Sequence, residues 1–143
     1  MRGQKFELAC QALKDFVGNL NENDLLNIII FDTGNTACSP FPFKADAEGK
    51  KAAAEFIDEF QAGGGTRFLE PLSNAIKGLH LDENHIPAVV LLTDGEDNVD
   101  TAATFIRRLR AEKAFDIPIF TFAIGISVNY SLLRSLAGYS GGT

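Results

Sequence analysis

Cysteine and clustered basic residues are scarce in this 143-residue sequence, and each shortage excludes a class of protein. Only Cys10 and Cys38 are present, without a Cys-x-x-Cys motif, so neither a disulfide framework nor a zinc site is expected. Acidic residues outnumber Lys and Arg by 19 to 13, and the densest basic group, Arg107, Arg108 and Arg110, falls on a predicted helix. Nucleic acid and anionic membrane surfaces are therefore not expected as partners.

Long apolar runs are also missing from the sequence. No run approaches the ~20 residues that a membrane-spanning helix needs, so we expect no membrane insertion. Residues 1–20 are amphipathic and charged, unlike a secretory signal peptide. These two absences favour a cytoplasmic location without fixing the compartment.

What is present is an alternation of helical and strand patterns over the length of one domain, residues 1–143. The composition, 45% hydrophobic and 22% charged, is typical of a globular protein. Apolar residues at helical spacing predict helices, and short β-branched or aromatic runs predict strands. The predicted helices cover residues 4–20, 48–60, 69–79, 100–114 and 130–137; the predicted strands cover 25–31, 88–93 and 119–124, with a short edge strand within 37–43.

Strands that alternate with helices predict an α/β fold with a doubly wound, mostly parallel sheet and helices on both faces. Ligand sites in such sheets lie at the carboxyl ends of the strands. The polar loops that begin at Asp32, Asp94 and Gly125 each follow a predicted strand directly, so they are candidate binding loops. The stretch Gly63–Thr66 is a further candidate binding loop if the predicted helix 48–60 returns the chain to the edge of the sheet where the strands end.

The apolar strand 88–93 ends at Thr93, and Asp94-Gly95 directly follows it. An aspartate at a strand end can bind a hard cation directly or through water, and Gly95 permits a tight turn away from it. Alternatively, Asp94 forms a side chain-to-backbone hydrogen bond that caps the loop. The residues alone leave both interpretations open.

Three glycines followed by Thr66 stand just before the predicted helix 69–79. Glycines allow close backbone approach and a helix N-terminus favours anions, so a phosphorylated ligand is one interpretation. The Thr66 hydroxyl as a neutral Mg²⁺ ligand is a second, and a flexible loop is the third. The pattern GxxxxGK[ST] is absent and no lysine follows the glycines, which disfavours a P-loop.

The sequence offers no clear catalytic constellation. His80 and His85 have no companion ligand at metal-binding spacing, and the serines lack a nucleophile-elbow context. The Glu96/Asp97 pair is more typical of solvated loop charges than of a catalytic dyad. A binding module is therefore the leading hypothesis, and not an enzyme. The alternative is a doubly wound enzyme or ligand-binding domain that uses Gly63–Thr66 for a phosphorylated ligand.

Several segments follow one another in an order that is specific to one family. A buried strand leads into Thr93-Asp94-Gly95, and Gly64-Gly65-Thr66 precedes a helix. Residues 23–31 contain the early strand, and residues 119–125 and 129–137 contain the late strand and the last helix. Together they resemble the von Willebrand factor type A (VWA) domain family, in its bacterial and inter-α-trypsin-inhibitor-like branch, over essentially the whole chain.

The resemblance implies a metal-ion-dependent adhesion site, abbreviated MIDAS. In the family, Mg²⁺ at the strand ends is held by a D-x-S-x-S segment, a threonine and an aspartate, and a partner's carboxylate completes the coordination. Thr66 and Asp94 match the threonine and the aspartate, and Gly64, Gly65 and Gly95 support their loops. The implied function is a protein–protein interaction module for adhesion or scaffolding, with a protein partner that the sequence does not name.

The sequence departs from the family pattern at both ends. It contains no D-x-S-x-S segment, whereas Met1-Arg2-Gly3-Gln4-Lys5 matches the tail of that pattern. We therefore expect codons before Met1 to encode a hydrophobic strand that ends in D-x-S-G-S. The family's last edge strand would begin at Gly142-Thr143, where the sequence stops.

These departures weaken the expected metal site and open the expected sheet. Thr66 and Asp94 fall short of the roughly six oxygen ligands that a hard cation prefers, so weak or no Mg²⁺ binding is expected. Asp32, Glu96 and Asp97 are the substitute ligands in the sequence. The missing strand is central in the family, so the remaining strands must either pair directly or accept another chain. Exposed edges favour association, which predicts a homo-oligomer through open strand edges.

Overall fold

The computed structural model describes residues 3–31, 35–60, 69–79, 83–93, 104, 107, 117–123 and 129–143. Its helices are α1 (Gln4–Gly18), α2 (Ala47–Glu59), α3 (Leu69–Gly78) and α4 (Tyr130–Ser140). Its strands are β1 (Leu25–Leu26), β2 (Ile29–Phe31), β3 (Asn35–Ala37), β4 (Phe43–Lys44), β5 (Val89–Thr93) and β6 (Ile119–Ala123). Thr104 and Arg107 are helical and belong to the predicted helix 100–114, whose other residues lie outside the described part of the chain.

The helices α1 and α2 enclose a first apolar cluster, which we call the amino-terminal cluster. Its buried members are Val17, Leu26, Ile28, Ala45, Ala53 and Ile57. Ala45 and Ala53 are fully buried, and these small side chains let the elements approach closely. The approach is tightest at Gly49 in the first turn of α2, where a Cβ atom would lie 1.9 Å from the Lys44 carbonyl oxygen.

Polar side chains satisfy the backbone groups at the ends of these two helices. The Asp46 carboxylate accepts a hydrogen bond from the Gly49 amide at 2.9 Å and caps the start of α2. The Lys50 ammonium donates to the carbonyl oxygens of Gly18, the last residue of α1, and of Leu20, at 3.0 and 2.5 Å. These contacts bind α2 to the end of α1 as well as capping both helices.

The predicted strand 25–31 is split in two at Asn27. β1 pairs antiparallel with β4, and β2 pairs antiparallel with β3. Between them, the Asn27 side chain donates to the Ser39 carbonyl at 2.8 Å and accepts from the Ser39 amide at 3.2 Å. A side-chain amide thus takes the place of a backbone ladder. This substitution interrupts the strand without leaving the backbone of Ser39 unsatisfied.

β5 and β6 form a parallel pair in register from Val89 opposite Ile119 to Thr93 opposite Ala123. Helices α3 and α4 cover this pair over a second apolar cluster, the carboxy-terminal cluster. Its buried members are Leu72, Ile76, Leu91, Ile117, Ile119, Leu132, Leu133 and Leu136. The predicted strands 88–93 and 119–124 and the predicted helices 69–79 and 130–137 are confirmed, apart from boundary shifts of up to three residues.

After α4 the chain returns along the outer edge of β6. Asn129 caps the start of the helix by accepting from the Leu132 amide, and Gly141 ends it in the left-handed conformation at φ 79°. The Ile119 amide then donates to the Ser140 hydroxyl, and the Thr121 amide donates to the Thr143 carbonyl, both at 2.9 Å. The last residues therefore lie along the outer edge of β6.

β2 connects the two clusters. Ile30 packs against the amino-terminal cluster, whereas its neighbour Phe31 packs against the carboxy-terminal cluster. Successive strand residues point to opposite faces of a sheet, so helices cover both faces of β2. The predicted doubly wound architecture is confirmed in this respect, although β5–β6 is the one parallel pair among the described strands. None of the described helices is long and apolar enough to cross a bilayer.

Candidate functional site

The candidate site is framed by the ends of β2 and β5 and by the start of α3. β2 ends at Phe31 and β5 ends at Thr93, the residues that directly precede Asp32 and Asp94 in the chain. β6 ends beside β5, because Ala123 is opposite Thr93 in the parallel ladder. Helix α3 begins three residues after Thr66 and contacts both β2 and β5. Helix α3 thus packs against the two strands that directly precede Asp32 and Asp94 in the chain.

The predicted site residues themselves lie outside the described residues. They are the metal ligands Thr66 and Asp94, the loop glycines Gly64, Gly65 and Gly95, and the substitute ligands Asp32, Glu96 and Asp97. Within the described ranges, no group of three or more His, Cys, Asp or Glu side chains is arranged to hold a metal ion. The described residues do not fit a metal site by themselves, and the assignment of the loop residues as ligands stays a prediction.

Two buried hydroxyl groups lie on the elements that frame the site. Thr93, at the end of β5, is 2% exposed, and Ser73, on α3, is 6% exposed. They are the only polar residues among the buried described positions. The sequence identified Thr93 as the last residue of a strand and as part of the Thr93-Asp94-Gly95 motif, but pattern alone does not reveal that its side chain is buried.

Two open grooves flank α4, away from the predicted ligands. One, of about 530 Å³, runs along the outer face of the helix past Tyr130, Arg134 and Tyr139. The other, of about 410 Å³, lies between α4 and the outer edge of β6. Neither groove contains a predicted site residue or more than one charged side chain, so neither has the convergent polar groups of a small-molecule site.

Comparison with known proteins decides the family. The family model described as von Willebrand factor type A domain matches residues 1–143. This chain belongs to the VWA domain family. The human inter-alpha-trypsin inhibitor heavy chain H4 is 30% identical to it over 151 residues, which cover 99% of this chain and 16% of that protein. The VWA domain described here therefore corresponds to a small part of the curated relative.

Solved structures agree on the fold. A von Willebrand factor type A protein from Catenulispora acidiphila superposes with a TM-score of 0.83 at 22% identity, over 98% of this chain and 34% of that one. Proximal thread matrix protein 1 from the mussel byssus, in a form described with a zinc-occupied MIDAS motif, superposes with a TM-score of 0.63 at 17% identity, over 95% of this chain and 38% of that one. At these identities the likeness concerns the fold of the VWA domain.

Proposed function

We propose that this VWA domain is a protein-binding module for adhesion or scaffolding, and not an enzyme. VWA domains generally mediate interactions between proteins, and the family match extends over the whole of residues 1–143. The observation that carries the proposal is that α3, which begins three residues after Thr66, contacts both β2 and β5, the strands that directly precede Asp32 and Asp94 in the chain. Strand carboxyl ends are where doubly wound folds bind their ligands.

The binding site we propose is a reduced MIDAS formed by Thr66 and Asp94. The neutral threonine oxygen and the aspartate carboxylate are hard donors suited to Mg²⁺, and a partner's carboxylate would complete the site. The zinc-occupied motif of the mussel protein supports a divalent metal as the class of ligand. Because two side chains supply only part of the about six oxygens required, the 143-residue chain alone binds Mg²⁺ weakly.

Titration calorimetry of the 143-residue chain with Mg²⁺ tests this proposal. We expect an affinity no tighter than millimolar, which falls further in the Asp94→Ala and Thr66→Ala variants. Glu22→Ala is the matched control, because it removes an exposed acidic side chain outside the site and should leave the titration unchanged. Micromolar affinity that disappears in Asp94→Ala would show a complete metal site and contradict the reduced one.

Calorimetric titration with phosphate ligands distinguishes the binding module from the alternative function. A doubly wound domain that used Gly63–Thr66 for a phosphorylated ligand would bind inorganic phosphate or a nucleoside diphosphate without any metal. We expect neither to bind. Heat released by a nucleoside diphosphate, and abolished by replacing Gly64 or Gly65, would overturn the proposed function.

A further inference from the structure

Charge is distributed unevenly along this chain. The sequence contains 19 acidic residues and has a net charge of −6, yet residues 117–143 contain no Asp or Glu. Arg134, on α4, is the only charged side chain in that stretch. An anionic group can therefore approach β6 and α4 without meeting a carboxylate side chain from the same segment.

The fold gives no reason for a positive charge at Arg134. The residue is exposed, and its guanidinium forms no hydrogen bond or ion pair with any residue that the structure describes. By contrast, the Lys14 ammonium links α1 to α2 through Asp58 at 2.6 Å. Arg134 also lies in the amino-terminal half of its helix, where the helix dipole does not stabilise a cation. Its guanidinium is therefore available to a group from outside the chain.

The outer face of α4 surrounds Arg134 with aromatic walls and a floor of small residues. Tyr130 and Tyr139 are the walls, and they are 60% and 50% exposed. The floor of this groove of about 530 Å³ consists of Ser131, Ser135 and Gly138. A Cβ atom on Gly138 would meet nothing within 4 Å, so the floor is open to an approaching backbone. Because tyrosine and arginine are enriched at the centres of protein interfaces, this composition is that of a protein-binding surface.

The spacing of the three large side chains sets the length of segment that fits the groove. At a rise of 1.5 Å per residue, Tyr130 and Tyr139 lie about 14 Å apart along the helix axis, with Arg134 about 6 Å from Tyr130. An extended chain advances about 3.3 Å per residue, and every second side chain points to the same face. The first, third and fifth side chains of an extended segment therefore match the two tyrosines and the arginine between them. Nine residues are two and a half helical turns, so the segment crosses α4 obliquely.

We propose that the outer face of α4 binds an extended segment of a partner protein with the pattern aromatic-x-acidic-x-aromatic. The central carboxylate pairs with the Arg134 guanidinium, whose fork of N–H groups can hold both carboxylate oxygens. The flanking rings pack against Tyr130 and Tyr139, because aromatic pairs are stabilised beyond the area that they bury. This inference rests on the proposed protein-binding function and adds to it a second contact surface that needs no metal.

Charge and structure favour a partner protein over a second copy of this chain. Two copies with a net charge of −6 repel each other. The chain contains the pattern at Phe56, Asp58 and Phe60, but Asp58 pairs with Lys14 and Phe56 packs against the amino-terminal cluster. A second copy would have to unfold α2 to donate this segment. Nucleic acid is disfavoured as well, because successive phosphates need several cations and this region has one.

An NMR titration of the 143-residue chain with a synthetic pentapeptide tests the proposal. The probe is Tyr-Ser-Glu-Ser-Tyr, acetylated and amidated so that the glutamate is its only charge, and EDTA is present throughout. We expect the amide signals of residues 130–139 to shift, while those of α1 stay unchanged. A control peptide with glutamine in place of the glutamate should bind about tenfold more weakly, because it cannot form the charge-assisted pair.

Variants of the chain provide the matched comparison. Arg134→Ala should weaken binding of the peptide about tenfold, and Arg134→Lys should restore only part of it, because an ammonium group cannot hold a carboxylate through two parallel bonds. Lys77→Ala is the control, since it removes an exposed positive charge on α3 outside the groove. Gly138→Leu fills the floor and should also block binding, whereas the free space at this position lets α4 fold.

The proposal is overturned if the peptide leaves the signals of α4 unchanged, if the glutamine peptide binds equally well, or if Arg134→Ala binds as tightly as Lys77→Ala. It is overturned equally if pentathymidylate shifts the same signals more strongly, which identifies a nucleic-acid surface. Shifts that depend on protein concentration alone would identify a second copy as the occupant. Because EDTA removes divalent metal, these outcomes concern the groove alone, and the Mg²⁺ and nucleoside diphosphate titrations test the proposed function separately.

Discussion

The two apolar clusters of this domain are built differently. The amino-terminal cluster depends on close approach of small residues, with Ala45 and Ala53 fully buried, and its strands are two or three residues long. The carboxy-terminal cluster depends on large aliphatic side chains beneath a five-residue parallel ladder. The comparison shows that the first half is held mainly by helix packing and side-chain hydrogen bonds, whereas the second half is held by its ladder and its core.

Truncation of a core side chain in each cluster has the largest expected effect. Ile57 and Leu136 are each 1% exposed, so Ile57→Ala and Leu136→Ala should each lower the free energy of unfolding by ~2–5 kcal/mol. Chemical denaturation followed by circular dichroism measures the loss. Leu8→Ala, at a position 63% exposed, is the control and should change stability by less than about 0.5 kcal/mol.

The same two variants reveal whether the halves unfold together. Because β2 contributes Ile30 to one cluster and Phe31 to the other, we expect one cooperative transition that both variants shift. Two separate transitions, each sensitive to only one variant, would mean that the clusters are independent.

Close backbone approach should matter more in the first half than in the second. A Cβ atom would lie 1.9 Å from the Lys44 carbonyl at Gly49 and 2.0 Å from the Ile119 carbonyl at Gly142. We expect Gly49→Ala to cost ~1–3 kcal/mol. Gly142→Ala should cost less, because the segment after α4 can move away from β6. Gly138→Ala meets nothing within 4 Å and should stabilise α4 by ~0.5–1 kcal/mol. Urea midpoints of the three variants measure the order, and equal losses at Gly49 and Gly142 would contradict it.

Loss of a helix cap should have a smaller and similar effect in both halves. Asp46 caps α2 and Asn129 caps α4, each with one side-chain hydrogen bond to a backbone amide. Asp46→Ala and Asn129→Ala should each cost ~1 kcal/mol in thermal or chemical unfolding. Asp46→Asn and Asn129→Asp keep the acceptor and should stay within a few tenths of a kcal/mol. Equal losses in the Ala and the conservative variants would show that the hydrogen bond is not what these residues contribute.

Thiol reactivity is the smallest expected effect. Burial raises the pKa of Cys10, which the Lys14 ammonium opposes, and burial also raises the pKa of Cys38. Because the thiolate is the reactive form, alkylation by iodoacetamide at pH 8 should be slower in the folded chain than in denaturant, and its rate should still be rising above pH 9.0, the ordinary pKa of the group. A folded-state rate that levels off below pH 8 would contradict the raised pKa.

The sequence predicted the regular elements well because their apolar patterns are strong. The predicted helix 48–60 became Ala47–Glu59, and the strand 119–124 became Ile119–Ala123. It did not predict the break in strand 25–31, because the side-chain bonds of Asn27 to Ser39 depend on tertiary contact. For the same reason the edge strand expected within 37–43 appears only at its two ends, as parts of β3 and β4.

The exposed fraction of side chains on α1 could also not be predicted from the sequence. Phe16 and Val17 both fall on the apolar side of the helical pattern over residues 4–20, which predicts that both are buried. In the structure Val17 is buried but Phe16 is 44% exposed. Periodicity gives the width of an apolar stripe and not which edge of it the neighbouring elements cover.

The sequence predicted the family of the domain, but the structure does not test the predicted binding site. The family is established, whereas a binding site at the strand ends, Thr66 and Asp94 as ligands, Mg²⁺ as the metal, a homo-oligomer and a cytoplasmic location stay predictions. Ligation depends on loop conformation, which pattern does not encode. The expected D-x-S-G-S segment before Met1 is equally a prediction, which the coding sequence upstream can check.

The central claim is that a divalent-metal site lies at the ends of β2 and β5 and the start of α3. Paramagnetic broadening of amide signals by Mn²⁺ tests this claim most directly. Mn²⁺ broadens amide signals close to it even when it binds weakly, so the method suits a reduced site. We predict that the amides of Phe31, Leu69 and Thr93 broaden first, that Gly18 is unaffected, and that Asp94→Ala abolishes the effect. Broadening centred on exposed acidic residues such as Glu22 and Glu83, and unchanged in Asp94→Ala, would contradict the account.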